Sequence, residues 1–212
     1  MKDNKTLDVN SIIQSPTIPS AFEVSDEEKI DKIAKHFRTI METLGLDLSD
    51  DSLKETPKRV AKMYVSEIFS GLNPKNKPEV TLFKNNYGYN QMLVEKNISV
   101  YSMCEHHFVP IIGRAHVAYI ANGKVIGLSK IHRMVKYFSQ RPQVQERLTR
   151  QIMENLRQTL NIDDVAVVID ARHMCVECRG VEDVTSSTIT SAISGQFQED
   201  STRSEFMRFI GM

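Results

Sequence analysis

A thiol, a carboxyl and two imidazoles occupy four consecutive positions, Cys104, Glu105, His106 and His107, inside an apolar run that otherwise alternates like a strand. Such a group suits metal ligation, or a thiol nucleophile activated by a neighbouring base. The third reading is a solvated loop without chemistry. The remaining cysteines, Cys175 and Cys178, form a Cys-x-x-Cys in "HMCVECRG". Zinc takes thiolate and imidazole ligands, and a catalytic site keeps one position open, so two Cys and one His suffice. Cys104 and His107 can meet one ion across a tight turn, and the other thiolate must come from the distant segment. On a regular strand His173, Cys175, Glu177 and Arg179 share one face and Cys178 points to the other, which gives Cys175 to the metal and turns Cys178 away. A closed structural site of Cys104, His107, Cys175 and Cys178 remains an alternative, as does a metal-free Cys104 nucleophile. The crowding of Glu105, His106 and His173 around the ligands favours catalysis, because a purely structural site has no use for them.

A second constellation lies in "GLSKIHRMVKYFSQRPQVQERL". Ser129, Lys130 and Arg133 fall in the first turn of a predicted helix, where free N–H groups and cationic side chains suit a phosphate; a helix cap with solvated charges reads the same residues equally well. Glu146 is ordinarily a solvated helix carboxylate, but a buried one could accept two donors from a planar base such as guanine. His36 and His116 read as surface or sheet residues and His132 as a helix-surface residue.

The elements that must hold these groups follow from periodicity. Residues 1–24 are polar, carry two prolines and show no period, so they read as a flexible tail. Over 25–75 the pattern is helical: Ser25 and Glu28 form a capping box before Ile30, Ile33, Ala34, Phe37, Ile40, Met41 and Leu44, and Gly45 ends the run. A second helix opens at Thr56–Pro57 and runs to Gly71, with Arg59 and Lys62 on what reads as its solvated face. From about 78 to 120 the period changes to two, with an Asn-Gly turn at Asn122 and Gly123. Helical spacing returns from Ser129, breaks near Pro142 and continues from Val144 to Leu160. "DDVAVVIDARHMCVECRGV" then reads as one long strand, "VTSSTITSAISGQF" as another, and "DSTRSEFMRFIGM" as a terminal helix. The class is α+β, an antiparallel sheet backed by helices.

The whole chain narrows the partners. Its 212 residues, 41% of them hydrophobic, suffice for one globular core beside a separate helical part. The 27 basic and 27 acidic residues cancel, so no net field favours nucleic acid or an anionic membrane. No stretch has the length of a membrane span, and the start lacks a signal-peptide core, so a cytoplasmic protein is expected. Three cysteines are too few for a disulfide framework and stay available as thiolates in a reducing compartment.

Taken in order and separation, "CEHHFVP", "GLSKIHRMVKYFSQRPQVQERLTRQI" and "HMCVECRG" closely resemble GTP cyclohydrolase I, and the likeness runs from about residue 26 to the end. The resemblance implies a tunnelling fold over 76–212, assembled into a toroidal homodecamer with sites at subunit junctions. It implies hydrolytic opening of the GTP imidazole ring to formate and 7,8-dihydroneopterin triphosphate. Matched by position, Cys104, His107 and Cys175 become zinc ligands and His106 the histidine that exchanges protons with purine N7. His173 and Ser129 match residues near the ribose, and Glu146, with Gln145 beside it, matches the guanine contact. Lys130, Arg133 and Arg179 match triphosphate contacts, and Arg59 with Lys62 match contacts from a neighbouring chain, against the solvated-face reading of that helix. Cys178 and His132 depart from the bacterial pattern, and the N-terminal tail is unmatched.

Overall fold

The computed structural model describes residues 14–18 and 20–212. The tail expected over 1–24 thus lies outside the described residues for 1–13 and 19. Helix α1, Asp26–Thr43, begins with the anticipated capping box: Ser25 Oγ accepts from Glu28 N at 3.2 Å and Glu28 Oε2 accepts from Ser25 N at 3.1 Å. Gly45, at φ +81°, closes its end by adopting a conformation that a Cβ would strain. The helix packs on α2, Thr56–Met63, yet buries fully only Met41, leaving Ile40 and Leu44 51% and 72% exposed. The second helix does not run unbroken to Gly71. It passes into a π turn over Tyr64–Ile68 and a 3₁₀ turn over Ser70–Leu72. The wide turn gathers Tyr64 and Phe69, ring centroids 5.3 Å apart. Gly71 lets this segment dock, since a Cβ there would stand 2.0 Å from Tyr137 O, and its own N–H donates to Gln140 O at 2.9 Å.

Two sheets follow. Short strand β1, Leu82–Lys84, pairs antiparallel with β4, Lys124–Ile126. The Asn122–Gly123 turn, with Gly123 at φ +72°, therefore does not fold β4 back onto the preceding strand as a tight hairpin; it redirects the chain to β1. The main sheet comprises β2 (Met92–Cys104), β3 (Pro110–Ile120), β5 (Pro142–Gln143), β6 (Val165–His173) and β7 (Thr188–Ile193), in the order β5-β2-β3-β6-β7. All pairs are antiparallel except the edge pair β2–β5, where Met103 and Cys104 face Pro142 and Gln143 in parallel. The sheet is thus mixed at one edge rather than wholly antiparallel. A bulge between Glu95 and Ile98, with Asn97 at φ +62°, bends β2.

Alternation decides which face each residue serves. Ile111, Ala115, Val117 and Tyr119 of β3, with Val165, Val167, Ile169 and Ala171 of β6, face α3 (Leu128–Ser139) and α4 (Gln145–Leu160), which contribute Ile131, Met134, Val135, Leu148, Ile152 and Leu156. The opposite face is smaller: Ala118, Ala166 and Val168 meet Phe197 and Phe206, the latter from the terminal helix α6, Asp200–Ile210.

One expectation fails where it matters. The long strand through "HMCVECRG" stops at His173, and Met174–Glu177 forms a single helical turn, α5. Glu177 reaches back to pair with Arg172, and Gly180, at φ +68°, turns the chain away. The period-two argument for Cys175 and Cys178 therefore does not apply. On this turn it is side-chain engagement, not strand parity, that separates the two thiols.

Candidate metal centre

The sequence folds Cys104 to the end of β2 and then reverses tightly. Phe108 N donates to Cys104 O at 2.9 Å and Cys104 N to Val109 O at 2.8 Å, with Phe108 held at φ +52°. A bulky residue in that conformation is strained, and the strain is spent on bringing His107 back over Cys104. From the facing edge, α5 presents Cys175. The ligand atoms of Cys104, His107 and Cys175 lie within 4.8 Å of one another, and Cys104 Sγ stands 4.0 Å from His107 Nδ1. Such a group could close on one ion with small side-chain movements.

Cys178 does not join them among the described residues. Its thiol is exposed and donates to Met174 O at 2.8 Å, so the four-ligand closed site has no geometric support. Cys104 is 5% exposed, which suits a ligand better than a nucleophile that must meet a substrate carbon. Burial, first, and the neighbouring Cys104 thiol raise the Cys175 pKa; a bound cation would reverse that sense, because a coordinating thiol is deprotonated.

The groups around this centre divide by what they touch. His106 Nδ1 is 3.8 Å from Cys104 Sγ, but the side chain is 64% exposed and stands outside the three-residue group. Glu105 is not a spare acid: it pairs with Arg147, whose Nε also donates to Gln143 Oε1 at 3.0 Å. Arg179 places Nη1 3.2 Å from His107 Nε2 and 3.5 Å from Cys175 O, binding the two halves of the centre. His173, at the end of β6, sets Nε2 2.7 Å from Gln145 Oε1. Burial lowers its pKa, and the Glu146 charge acts the other way.

Gln145, expected beside Glu146 as a substrate contact, is 1% exposed and committed inside the chain. Its Nε2 donates to Ile169 O at 3.0 Å and Thr188 O at 2.8 Å. Those carbonyls fix which end of the amide is nitrogen, so Oε1 accepts from His173 and Nε2 of that ring carries the proton. Gln145 reaches the site through His173. Glu146, one residue on, is exposed rather than buried.

Ser129 and Arg133 are exposed and Lys130 half-buried in the first turns of α3, whose N-cap is Gly127 with no side-chain cap. Arg59 and Lys62 are exposed on α2. No hydrogen bond or ion pair joins these five side chains to the Cys–His–Cys group among the described residues. His132 sits on the helix surface, as expected, 3.0 Å from Glu95 Oε2. Two participants escaped the sequence reading, Arg147 and Gln143. Arg147 lies 42 residues from its Glu105 partner, and no local spacing announces such a pair.

No helix among the described residues is long and apolar enough to cross a membrane. The family model described as GTP cyclohydrolase I matches residues 33–211. The protein named GTP cyclohydrolase 1 of Flavobacterium johnsoniae is 57% identical over 201 residues, 95% of this chain and 90% of that one. The protein of the same name from Vibrio vulnificus is 53% identical over 196 residues, 92% of this chain and 89% of that one. A solved structure titled "Crystal structure of the archaeosine synthase QueF-Like in the apo form" aligns at a TM-score of 0.42 and 19% identity, over 49% of this chain and 93% of that one, too weak a likeness to carry weight. With its helix-backed sheet as the tunnelling fold and its Cys–His–Cys group at the strand ends, the chain belongs to the GTP cyclohydrolase I family.

Proposed function

We propose that the protein converts GTP to 7,8-dihydroneopterin triphosphate and formate, the first step of tetrahydrofolate and pterin biosynthesis, with zinc as its metal. The observation that carries this reading is the convergence of Cys104, His107 and Cys175 in a chain of this family. Two thiolates and one imidazole suit zinc and leave a coordination position open. Bound there, zinc supplies the Lewis acidity that lowers the pKa of water for attack on the imidazole ring of the base.

The chain's own residues do the rest. His106, exposed beside Cys104, gives and takes the proton at purine N7. Burial disfavours the charged form of His173, and with Nε2–H given to Gln145 its Nδ1 is the atom left to face the ribose side together with Ser129. Glu146 offers two acceptor oxygens to the N1–H and amino donors of guanine, with Gln145 behind it holding His173. Lys130, Arg133 and Arg179 neutralise the triphosphate, joined by Arg59 and Lys62 of a neighbouring chain. In this reading 25–75 is the helical part that carries those two, and 76–212 is the catalytic domain.

A homodecamer with sites at subunit junctions is part of the proposal. It is supported by the exposure of Glu146, which a neighbour would bury, and by the uncovered apolar stripe of α1 at Ile40 and Leu44. A cytoplasmic location agrees with thiols that must stay reduced. The test is direct: zinc-loaded protein incubated with GTP should release formate and yield a fluorescent neopterin after oxidation. Neither product at a full zinc complement would reject the reading.

A further inference from the structure

We infer that a cavity of about 550 Å³, separate from the metal centre, binds a small organic anion whose carboxylate or phosphate pairs with Arg141. None of its lining residues belongs to the metal ligands or the proposed GTP contacts.

Arg141 follows α3 and lines the cavity, its guanidinium carbon 4.5 Å from the ring centre of Tyr137 and 4.7 Å from that of Phe138. The residue is 9% exposed. Its Nη1 donates to Ser15 Oγ at 3.2 Å, but its Nε is buried without an acceptor, and among the described residues no carboxylate forms an ion pair with it. Burial lowers its pKa, with Tyr137 opposing, yet a guanidinium keeps its proton in proteins. A buried charge without a counter-ion is costly, and buried charges are ordinarily paired.

The rest of the lining does not supply that counter-ion. Glu154 is taken by Arg157 at 3.0 Å and by Gln158 at 3.1 Å. Lys77, exposed at the rim, adds a second positive charge. Asn155 Oδ1 is buried without a donor, so a ligand carrying a hydroxyl or amine would satisfy a second orphan group. Phe22 and Leu72 give one wall an apolar surface. The volume falls within the range of small-molecule sites, roughly 300–1,000 Å³. Anion, donor and apolar body together describe a hydroxylated carboxylate or phosphate ester.

The experiment uses full-length, zinc-loaded protein at ionic strength held constant with sodium chloride. 4-Hydroxybenzoate and inorganic phosphate are titrated separately by calorimetry, and the tighter of the two assigns carboxylate or phosphate as the preferred group. Expected are one saturable site per chain, at least tenfold weaker binding in Arg141→Met, severalfold weaker binding in Lys77→Glu, and unchanged binding in Lys130→Met, which tests the proposed triphosphate contacts instead. Should Arg141→Met fail to fold, the exposed Lys77→Glu decides. Absence of saturable binding by either anion, binding undiminished in the cavity variants, or loss on Lys130→Met alone would overturn the assignment.

Discussion

Replacing Gln145 tests whether one buried amide holds the site's second histidine. In Gln145→Met the side chain keeps its length, but Ile169 O and Thr188 O lose a donor and His173 Nε2 loses its acceptor. The two amide protons, shared among Ile169 O, Thr188 O and Thr190 Oγ1, and the proton from His173 make the equivalent of three hydrogen bonds, which at a net 0.5–1.5 kcal/mol each give a destabilisation of about 2–4 kcal/mol. For a chain of this size that corresponds to a fall in Tm of roughly 5–15 °C. Gln145→Glu should be worse than Gln145→Met, because its carboxylate would point an acceptor oxygen at two carbonyl oxygens in a site only 1% exposed. With His173 free to rotate and change tautomer, kcat for formate release should fall while KM for GTP changes little, since Gln145 is buried and engaged with Ile169 O, Thr188 O and His173. Thermal unfolding and steady-state formate release on both variants supply the measurement. A Glu variant as stable as wild type would show that the amide protons contribute nothing at those carbonyls, and a rise in KM alone would return Gln145 to direct substrate contact.

Three further outcomes follow from particular contacts. Cys178→Ala should keep metal, turnover and stability to within about 0.5 kcal/mol, as an exposed substitution, while Cys175→Ala should lose both metal and turnover; equal metal loss from the two, read as zinc per chain, would restore the closed site. His106→Ala should retain zinc and lower formate release by roughly 10²–10⁴-fold, the range of general acid–base catalysis, and loss of the metal instead would exchange the roles of His106 and His107. Burial lowers the pKa of His116 below its usual 6.5, against the Asp170 charge and with Lys96, so the unfolded chain takes up the proton first. Its contribution to stability is therefore intact above about pH 6.5 and is lost as pH falls below that value. His116→Leu should show a smaller loss of denaturant stability between pH 7.5 and 5.5 than wild type, and an equal loss would clear His116 of that role.

Local chemistry fixed much of this molecule in advance. The capping box at Ser25 and Glu28, the period of α4 and the alternation of β3 are statements about neighbours in sequence, and each element formed where its pattern lies. The three side chains that could hold a metal were also legible, because thiols and imidazoles are rare enough for their spacing to speak. What failed were inferences that assumed an element would continue. The strand expected through Cys175 ends at His173, where Met174–Glu177 turns helical and Glu177 pairs back with Arg172, and the second helix widens into a π turn where Tyr64 and Phe69 pack. Only the tertiary structure could decide what each polar group is occupied with. Glu105 looked like a spare acid and is held by Arg147, and Gln145 looked like a substrate contact and is spent on two carbonyls and His173. Arg141, which no local pattern singles out, is buried beside two rings with no carboxylate paired to it among the described residues. Sequence determines which groups exist and which lie on one local face; pairings across 28 or 42 residues depend on how strands register and helices dock, and that is set by packing of the whole chain.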